Sequence, residues 1–318
     1  MARLRPAVIR RTARRAWLLR ASAATLAAAA AQGCAFKHFA PIPYRPALFE
    51  ATHPDRPGRL VLFGSVHAGI ARFYPLPDAV MDAYRAAERV AVELEVAAHL
   101  PELRAAVAPL AAYAPGESLE SVVPAPLTQA LRAHLGHDAN EWARARRNRP
   151  WSIALAIVSA DDAALGASGE QGVENFFLAA ARRDGKPVVE LETATEQVHA
   201  FAGGSAPEQA ALLALRLAQV RAFDRTFGEI VDAWRVGDVE RIEALRLRAY
   251  PRNGVLGEAH RRIFDERDAR MARRLADLAE APGGVFAVVG AFHLVGPLGV
   301  PARLAEAGFE VRRVAYER

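Results

Sequence analysis

The sequence contains a single cysteine and only two lysines, and each scarcity limits what the protein can be. A lone cysteine, Cys34, excludes an internal disulfide and a metal site built from clustered thiolates. Because the lysines are only Lys37 and Lys186, arginine supplies almost all of the positive charge. With so much alanine beside it, this skew is typical of a codon bias and indicates no function.

The chain also lacks a net basic charge once its amino terminus is set apart. Seven arginines precede residue 21 with no acidic residue among them, so the formal charge of +5 becomes −2 for the remainder. A basic surface of the extent that nucleic-acid binding requires is therefore not expected. We predict no nucleic-acid partner.

No apolar run beyond the amino terminus is long enough for a transmembrane helix. Residues 1–33 join arginines to the alanine-rich run 21–31, a pattern typical of a signal peptide. The pair Arg14-Arg15 resembles a twin-arginine export signal. Cys34 closes a stretch that resembles a lipoprotein cleavage site, and an ordinary cleaved signal with a chance cysteine is the alternative. We therefore expect an exported protein of the periplasm or cell envelope, with membrane anchoring through Cys34 as one of two options.

Residues 34–58 are proline-rich and are predicted to be an irregular linker, which leaves 59–318 as one α/β domain. Short apolar runs predict five strands, at 59–67, 90–96, 186–192, 285–290 and 310–316. The first two enclose a helix within about forty residues, which indicates a parallel βαβ unit. The long helical stretches at 100–182 and 206–281 are predicted to be insertions that cap a central, mostly parallel sheet with flanking helices.

Two of the predicted strands end in the same motif, a glycine followed three positions later by a histidine. The first motif pairs Gly64 with His67, and the second pairs Gly290 with His293. Ligands bind beyond the carboxyl ends of parallel strands, where glycine permits close approach and histidine can act as base, acid or metal ligand. Both glycines are therefore predicted to line a cofactor-binding site. The alternative, a buried histidine bonded to a carbonyl, is disfavoured because the motif occurs twice.

The remaining histidines have no second motif partner. They are predicted to lie on the surface, and are His53, His99, His134, His137, His199 and His260.

Paired carboxylates occupy two of the predicted strands. Glu93 and Glu95 lie two apart on the second strand, and Glu190 and Glu192 repeat the arrangement on the third. Alternate strand positions share a face, and a carboxylate in an apolar interior is costly unless it is paired, hydrogen-bonded or metal-bound. Carboxylates beside strand-end histidines could form a divalent-metal site or an acid–base pair. A structural ion pair with Arg267 is the alternative for at least one member of each pair.

Several of these motifs together resemble the TraB/GumN family, relatives of the Tiki proteases. They are the runs at 62–67 and 92–95, the stretch from Lys186 through Glu192, the turn Gly237-Asp238 and the closing run at 289–299. In order, the resemblance covers residues 60–315. It implies a fold in the erythromycin-esterase/ChaN-like superfamily.

The resemblance also implies an activity, which is metal-dependent hydrolysis of a peptide or protein substrate. It implies that His67, Glu93 and His293 hold a divalent cation such as Mn²⁺, Co²⁺ or Zn²⁺, which would activate water and polarise a carbonyl. Arg267 and Glu192 would complete the catalytic set, with the arginine stabilising the developing oxyanion.

The chain departs from the family pattern at three acidic positions. Glu95 stands where aspartate is usual, Glu174 ends a Gly-x-Asp motif, and Asp268 replaces an asparagine after Arg267. Other functions therefore stay open. They are metal-free hydrolysis with one histidine as general base, haem binding by the two strand-end histidines, and a non-catalytic role in surface interaction.

Overall fold

A six-stranded mixed sheet organises residues 44–316, the part of the chain that the computed structural model describes. Helices cover both faces of this sheet, which confirms the predicted α/β class. Within 44–316 no helix is both long and apolar enough to cross a membrane. The predicted export signal and Cys34 lie outside the described residues.

The strands follow the predicted pattern with one addition. They are β1 Leu48–His53, β2 Arg56–Ser65, β3 Arg89–Val92, β4 Val188–Glu190, β5 Gly283–Gly290 and β6 Glu310–Arg313, in the order β4-β3-β5-β2-β1-β6. The strands β4, β3, β5 and β2 are parallel, whereas β1 runs antiparallel to both β2 and β6. The prediction of an irregular linker over 34–58 is therefore wrong from Leu48 onward, because β1 buries Leu48 and Ala51 and pairs with β2.

Helices fill the connections between strands. They are α1 Asp78–Ala86, α2 Leu100–Ala111, α3 Leu119–Val122, α4 Ala125–His134, α5 Ala139–Ala145, α6 Pro150–Ala164, α7 Val173–Arg183, α8 Ala194–Ala202, α9 Ala206–Gln219, α10 Phe223–Val236, α11 Val239–Ala249, α12 Gly257–His260, α13 Glu266–Leu278 and α14 Val300–Glu306. A π-helical segment, Arg261–Asp265, leads into α13, and a 3₁₀ segment, Ala291–Leu294, follows β5.

Alternating side chains of the central strands divide the interior between the two faces of the sheet. On one face, Val61 and Phe63 of β2 pack with α1, α7 and α10. On the opposite face, Leu60 and Leu62 pack with α13 and α14. Burial on both faces explains why β2 is a nearly continuous apolar run in the sequence.

Part of the helical insertion has a hydrophobic core of its own. Helices α3–α6 and α9, here called the cap, pack around Leu119, Leu131, Trp142, Ile157 and Leu213. The prediction that the long helical stretches are insertions is confirmed for this region. Residues of α6 and α9 also face the end of the sheet across a cleft.

The register of the parallel strands brings their carboxyl ends to one edge. Ser65, the last residue of β2, is paired with Gly290, the last residue of β5. Val92 at the end of β3 is paired with Glu190 at the end of β4. Side chains that follow these four strands therefore project into the same region.

Lys186 is the one lysine within residues 44–316. Its side chain is expected to stabilise the start of β4 measurably. Its ammonium donates to the backbone carbonyls of Tyr84 and Arg85, at 2.9 and 3.0 Å, and to that of Ala87. A cation at the carboxyl end of α1 also interacts favourably with the helix dipole. Replacing Lys186 by methionine should lower the free energy of unfolding by about 1–3 kcal/mol, measured by chemical denaturation.

The control for this measurement is Arg183→Met, three residues earlier. Arg183 is exposed, and its hydrogen bonds within residues 44–316 go to the neighbouring Asp184, so its replacement should leave the denaturation midpoint almost unchanged. Equal midpoints for the two variants would show that the carbonyl cluster contributes nothing.

Candidate functional site

Four strand ends deliver the side chains of the candidate site. His67 follows β2 and Glu93 follows β3, while Glu192 follows β4 and His293 lies in the 3₁₀ segment after β5. Oε1 of Glu93 lies 3.7 Å from Nε2 of His67 and 3.8 Å from Nε2 of His293. The structure thus brings together the two motif histidines and the glutamate that the sequence analysis singled out.

Gly290 makes this close approach possible. Its backbone N–H donates to Oε1 of Glu93 at 2.6 Å. A Cβ atom at this position would lie 2.7 Å from Nε2 of His67 and 3.1 Å from Glu93 Oε1, so a side chain would displace the histidine. Gly64 has a different role from the predicted one. Its carbonyl accepts a hydrogen bond from Nε1 of Trp234 at 2.7 Å, and it packs against Ala291 instead of lining the cleft.

Arg267 is buried at the centre of the cluster, where acceptors surround its guanidinium group. Nε and Nη2 donate to the Glu192 carboxylate at 2.8 and 2.6 Å, and Nη2 also donates to Oε2 of Glu93 at 2.7 Å. Nη1 lies 3.2 Å from Nε2 of His293 and donates to the carbonyl of Ile263 at 3.3 Å. A guanidinium group has five N–H donors, and all of them face an acceptor here.

These contacts bear on two predicted roles. In this arrangement each N–H of Arg267 is directed at an acceptor within the protein, so its role in stabilising an oxyanion stays a prediction that requires one of these contacts to open. Glu192 lies in the cluster as predicted, and it serves as the counter-ion of Arg267. Arg267 lines the cleft and, with Glu192 as its counter-ion, holds the position of Glu93.

Two acidic residues of the site were missed as site residues. Oε2 of Glu174 bonds Nδ1 of His67 at 3.0 Å, and Oδ1 of Asp268 bonds Nδ1 of His293 at 2.5 Å. A carboxylate on Nδ1 fixes the ring so that Nε2 faces the reacting region. Glu174 and Asp268 are two of the three positions at which the chain departs from the TraB/GumN pattern, and that signal could have identified them.

The two predicted carboxylate pairs split apart. Glu95 forms a salt bridge with Arg182, and Glu190 lies 2.9 Å from Nε2 of His99 and accepts from the backbone of Glu95 at 2.8 Å. The alternation that would place Glu93 and Glu95 on one face ends with β3 at Val92. Only one glutamate of each pair therefore reaches the cluster.

One histidine was assigned wrongly to the surface. His260 is fully buried, and its Nδ1 lies 2.7 Å from the carbonyl oxygen of Tyr250. Its ring packs beside Phe264 at 5.1 Å between centroids. His260 lies beside the buried apolar cluster of Ala259, Ile263 and Phe264, which the sequence pattern did not indicate.

The charges of the cluster explain its pKa shifts. Burial alone would raise the pKa of Glu93, but His293, Arg267 and His67 lower it well below its usual range. The partial loss of hydration in the cleft would lower the pKa of His67, but the carboxylates of Glu93 and Glu174 raise it to about 9. Burial raises the pKa of Glu174. At neutral pH the pair formed by His67 and Glu174 therefore carries its proton on the imidazole.

The titration of His67 is expected to be directly measurable. The imidazole should titrate near pH 9 in NMR spectra of the isotope-labelled protein, and Glu174→Gln should move the titration to lower pH because one carboxylate is lost. Since the folded pKa lies above the unfolded value of about 6.5, these contacts stabilise the fold fully below pH 6.5. That contribution is lost as the pH rises through 9.

Glu170→Gln provides the control for this titration. Glu170 is exposed and lies four residues before Glu174, so its replacement alters the local charge without touching His67. A histidine signal that titrates at its ordinary pKa in the wild type would contradict the contact with Glu174.

Whether a divalent cation fits these residues can be judged from the donor atoms. Two imidazole nitrogens and a carboxylate oxygen are suitable in kind, and each imidazole has a carboxylate on its other nitrogen. Metal–ligand bonds of about 2.1 Å place tetrahedral ligand atoms about 3.4 Å apart, closer than the 3.7 and 3.8 Å found here. Arg267 also directs an N–H at Nε2 of His293. As placed, the described residues offer no set of three metal ligands, so the arrangement does not fit a cation without movement.

The cluster lies at the floor of a cleft of about 350 Å³ between the sheet edge and the cap. Its walls are mostly aliphatic and aromatic, with His67, Gly290 and His293 at the floor. Asp162, at the end of α6, also lines the cleft. Burial raises the pKa of Asp162 to about 6. The sequence analysis did not identify this residue, because no motif marks it.

The fold and the site define an α/β protein with a buried cluster of carboxylates, histidines and one arginine at the carboxyl edge of a mostly parallel sheet. The model of the TraB/PrgY/gumN family matches residues 47–313, and the chain belongs to this family. The assignment confirms the resemblance inferred from the motifs.

Curated relatives match a shorter region. The chain is 28% identical over 138 residues to the uncharacterized protein YbaP of Escherichia coli (strain K12), and equally to that of Shigella flexneri. Each alignment covers 43% of this chain and 49% of the relative, so the chain spans about half the length of the curated relatives it matches. No solved structure matches the chain significantly.

Proposed function

We propose that this protein is a hydrolase of peptide bonds in which His67 is the general base. The observation that carries the proposal is the setting of the His67 imidazole. Its Nδ1 is bonded at 3.0 Å to the buried carboxylate of Glu174, while the side chain stays 59% exposed at the floor of the cleft. A histidine oriented by a carboxylate and open to a substrate is the arrangement that activates nucleophiles in many hydrolases.

The geometry supports a simple division of labour. In its neutral form, Nε2 of His67 accepts a proton from a water molecule that attacks the scissile carbonyl, and Glu174 stabilises the imidazolium that forms. Oε1 of Glu93 lies 3.7 Å from Nε2, so one water can bond to both atoms. The same imidazolium then donates its proton to the leaving amine. Because the pKa of His67 is raised to about 9, the rate should increase with pH up to that value.

Metal dependence stays a prediction of the family resemblance. Metal binding would require His67, Glu93 and His293 to move closer together and Arg267 to withdraw from His293, and these three residues would then hold the cation. When bound, the cation would supply Lewis-acid activation of water. The cluster has little excess negative charge to attract a cation, because the four carboxylates of Glu93, Glu174, Glu192 and Asp268 exceed the cations Arg267, Arg246 and protonated His67 by only one.

Haem binding by both histidines is not favoured by the geometry. A porphyrin held between two imidazoles needs a flat open space between their Nε2 atoms. Oε1 of Glu93 lies within 3.8 Å of both of these atoms and is fixed there by the N–H of Gly290.

The test compares His67→Gln with His99→Gln on a pool of fluorogenic peptides. His99 also pairs with a carboxylate at the same sheet edge, at 2.9 Å from Glu190, but it lies outside the cleft. Wild type and His99→Gln should cleave the peptides, and His67→Gln should lose at least about 100-fold in kcat/KM. Circular dichroism should show that His67→Gln keeps the wild-type fold, although the loss of its contacts with Glu93 and Glu174 lowers its melting temperature. Full activity in His67→Gln would overturn the proposal.

The same preparation decides between the metal-dependent and metal-free forms. Cleavage that survives exhaustive chelation supports His67 acting alone as base. Cleavage that chelation abolishes and Mn²⁺, Co²⁺ or Zn²⁺ restores supports the metal form. Protein purified from its own host that shows a Soret absorption band and no cleavage would favour the haem function. Protein that shows neither a Soret band nor cleavage would favour a role in surface interaction.

We also propose that the protein acts in the periplasm or cell envelope. The support for this location is the signal-like sequence of residues 1–33, with Cys34 as a candidate site for lipid attachment. A site in that compartment would meet peptides and envelope proteins as substrates.

A further inference from the structure

The cleft above His67 has one wall that the fold covers only in part. Helix α6 is apolar on two opposite sides, although a helix at a surface normally has one apolar stripe. One side contributes Ile153 and Ile157 to the core of the cap. The other side follows the spacing i, i+4, i+7, i+11 and carries Trp151, Leu155, Val158 and Asp162, all of which line the cleft.

This second side is incompletely covered by the protein. Leu155 and Val158 are only half-buried, as are Leu212 and Leu215, which face them from α9. Ligand sites typically combine apolar walls of this kind with a few polar groups that fix the orientation of the ligand. The cleft volume of about 350 Å³ is enough for one or two large side chains.

The polar end of the same helix face lies toward His67. Asp162 lies on the cleft next to His67, and the neighbouring Asp161 is paired with Arg216 at 2.9 Å. The side of α6 therefore passes from aromatic and aliphatic residues to a carboxyl group as it approaches the reaction floor. A substrate that matches this helix side carries an apolar group on one side of the scissile bond. It also carries a hydrogen-bond donor, such as a leaving amine, close to Asp162.

We infer that the Trp151–Val158 side of α6 is the specificity wall of the site, and that the substrate is a peptide with a large apolar residue at the scissile carbonyl. This inference rests on the proposed function. Each additional buried methylene favours binding of the apolar residue, so leucine or phenylalanine at that position should exceed alanine or aspartate at least about tenfold in kcat/KM.

The experiment uses fluorogenic peptides that differ only in the residue supplying the scissile carbonyl, which is leucine, phenylalanine, alanine or aspartate. Leu155→Asn should reduce the preference for leucine over aspartate, and Ser159→Asn, on the exposed side of the same helix, should leave it unchanged. Val158→Trp should exclude phenylalanine while sparing alanine, because it fills the cleft. Val158→Trp tests the inference if Leu155→Asn does not fold. Equal cleavage of all four peptides, or a preference unaffected in both wall variants, would overturn the inference.

A binding measurement separates this inference from the proposed function. Calorimetric titration of His67→Gln with the leucine and aspartate peptides reports recognition without cleavage. If the wild type cleaves nothing, tighter binding of the leucine peptide that Leu155→Asn weakens still supports an apolar site, whereas equal binding overturns it. Selective cleavage of an octanoyl ester over an acetyl ester, with the peptides left uncleaved, would indicate that the wall binds a fatty acyl chain. That result would overturn the inference of a peptide substrate.

Discussion

Replacing Arg267 by methionine is expected to lower the free energy of unfolding by about 3–5 kcal/mol, the usual loss when one partner of a buried ion pair is removed. The guanidinium group is 4% exposed and lies between the carboxylates of Glu93 and Glu192, which are equally buried. Without it, Glu93 would keep only the longer contact with the His67 imidazolium at 3.7 Å among the cations described, and Glu192 only the long contact with Arg270 at 3.9 Å. Chemical denaturation at neutral pH measures the loss.

Arg270→Met is the matched control, one turn further along α13. Arg270 approaches Glu192 at 3.9 Å and Glu196 at 3.8 Å, and its side chain is 27% exposed. Long, partly solvated ion pairs contribute little, so this variant should change the free energy of unfolding by less than about 1 kcal/mol. A small loss in Arg267→Met, comparable to that of the control, would show that the cluster tolerates uncompensated charge.

Glu93→Gln is expected to abolish most of the hydrolytic activity, by about 100-fold or more in kcat/KM. An amide can accept from only one of the two donors that Glu93 now satisfies, the N–H of Gly290 at 2.6 Å and Nη2 of Arg267 at 2.7 Å. Its NH₂ group would meet the other donor, so the side chain must rotate away from His67. Steady-state cleavage of the best peptide from the pool measures the effect.

Glu95→Gln distinguishes the position of Glu93 from a general loss of negative charge. Glu95 lies two residues further on and pairs with Arg182, which is 57% exposed. The Glu95 variant should keep wild-type kcat/KM and melt at nearly the wild-type temperature. Equal losses of activity in the two variants would mean that the glutamate at the reaction floor has been misassigned.

The strands that support the site could be predicted from the sequence because they are buried on both faces. Apolar runs such as Leu60–Phe63 have no other explanation in a chain with so few long hydrophobic stretches, and parallel strands share a carboxyl edge. The strand β1 was not predicted, for the opposite reason. It is near the edge of the sheet, and Pro54 and Pro57 border its turn into β2, so its local composition is that of a linker.

Within the site, the sequence indicated which residues come together more readily than what each residue does there. The motif placed His67, Glu93 and His293 together, because a short run after a strand can only project from the strand end. The direction of Glu95 and Glu190 depends on the residue at which each strand ends, which the alternation of side chains does not fix. The saturation of Arg267 depends on two carboxylates, a backbone carbonyl and an imidazole from four separate parts of the chain, so no spacing in the sequence could indicate it.

The separate core of the cap has a consequence for how this protein can diverge. The residues proposed to react follow the strands of the sheet, whereas the proposed wall belongs to a helix whose other side packs within the cap. Substitutions at Leu155 or Val158 therefore leave the sheet and its buried charges untouched. Natural variation can alter the group that is recognised while the reaction floor stays the same, and an engineer who wishes to change the substrate should begin with α6.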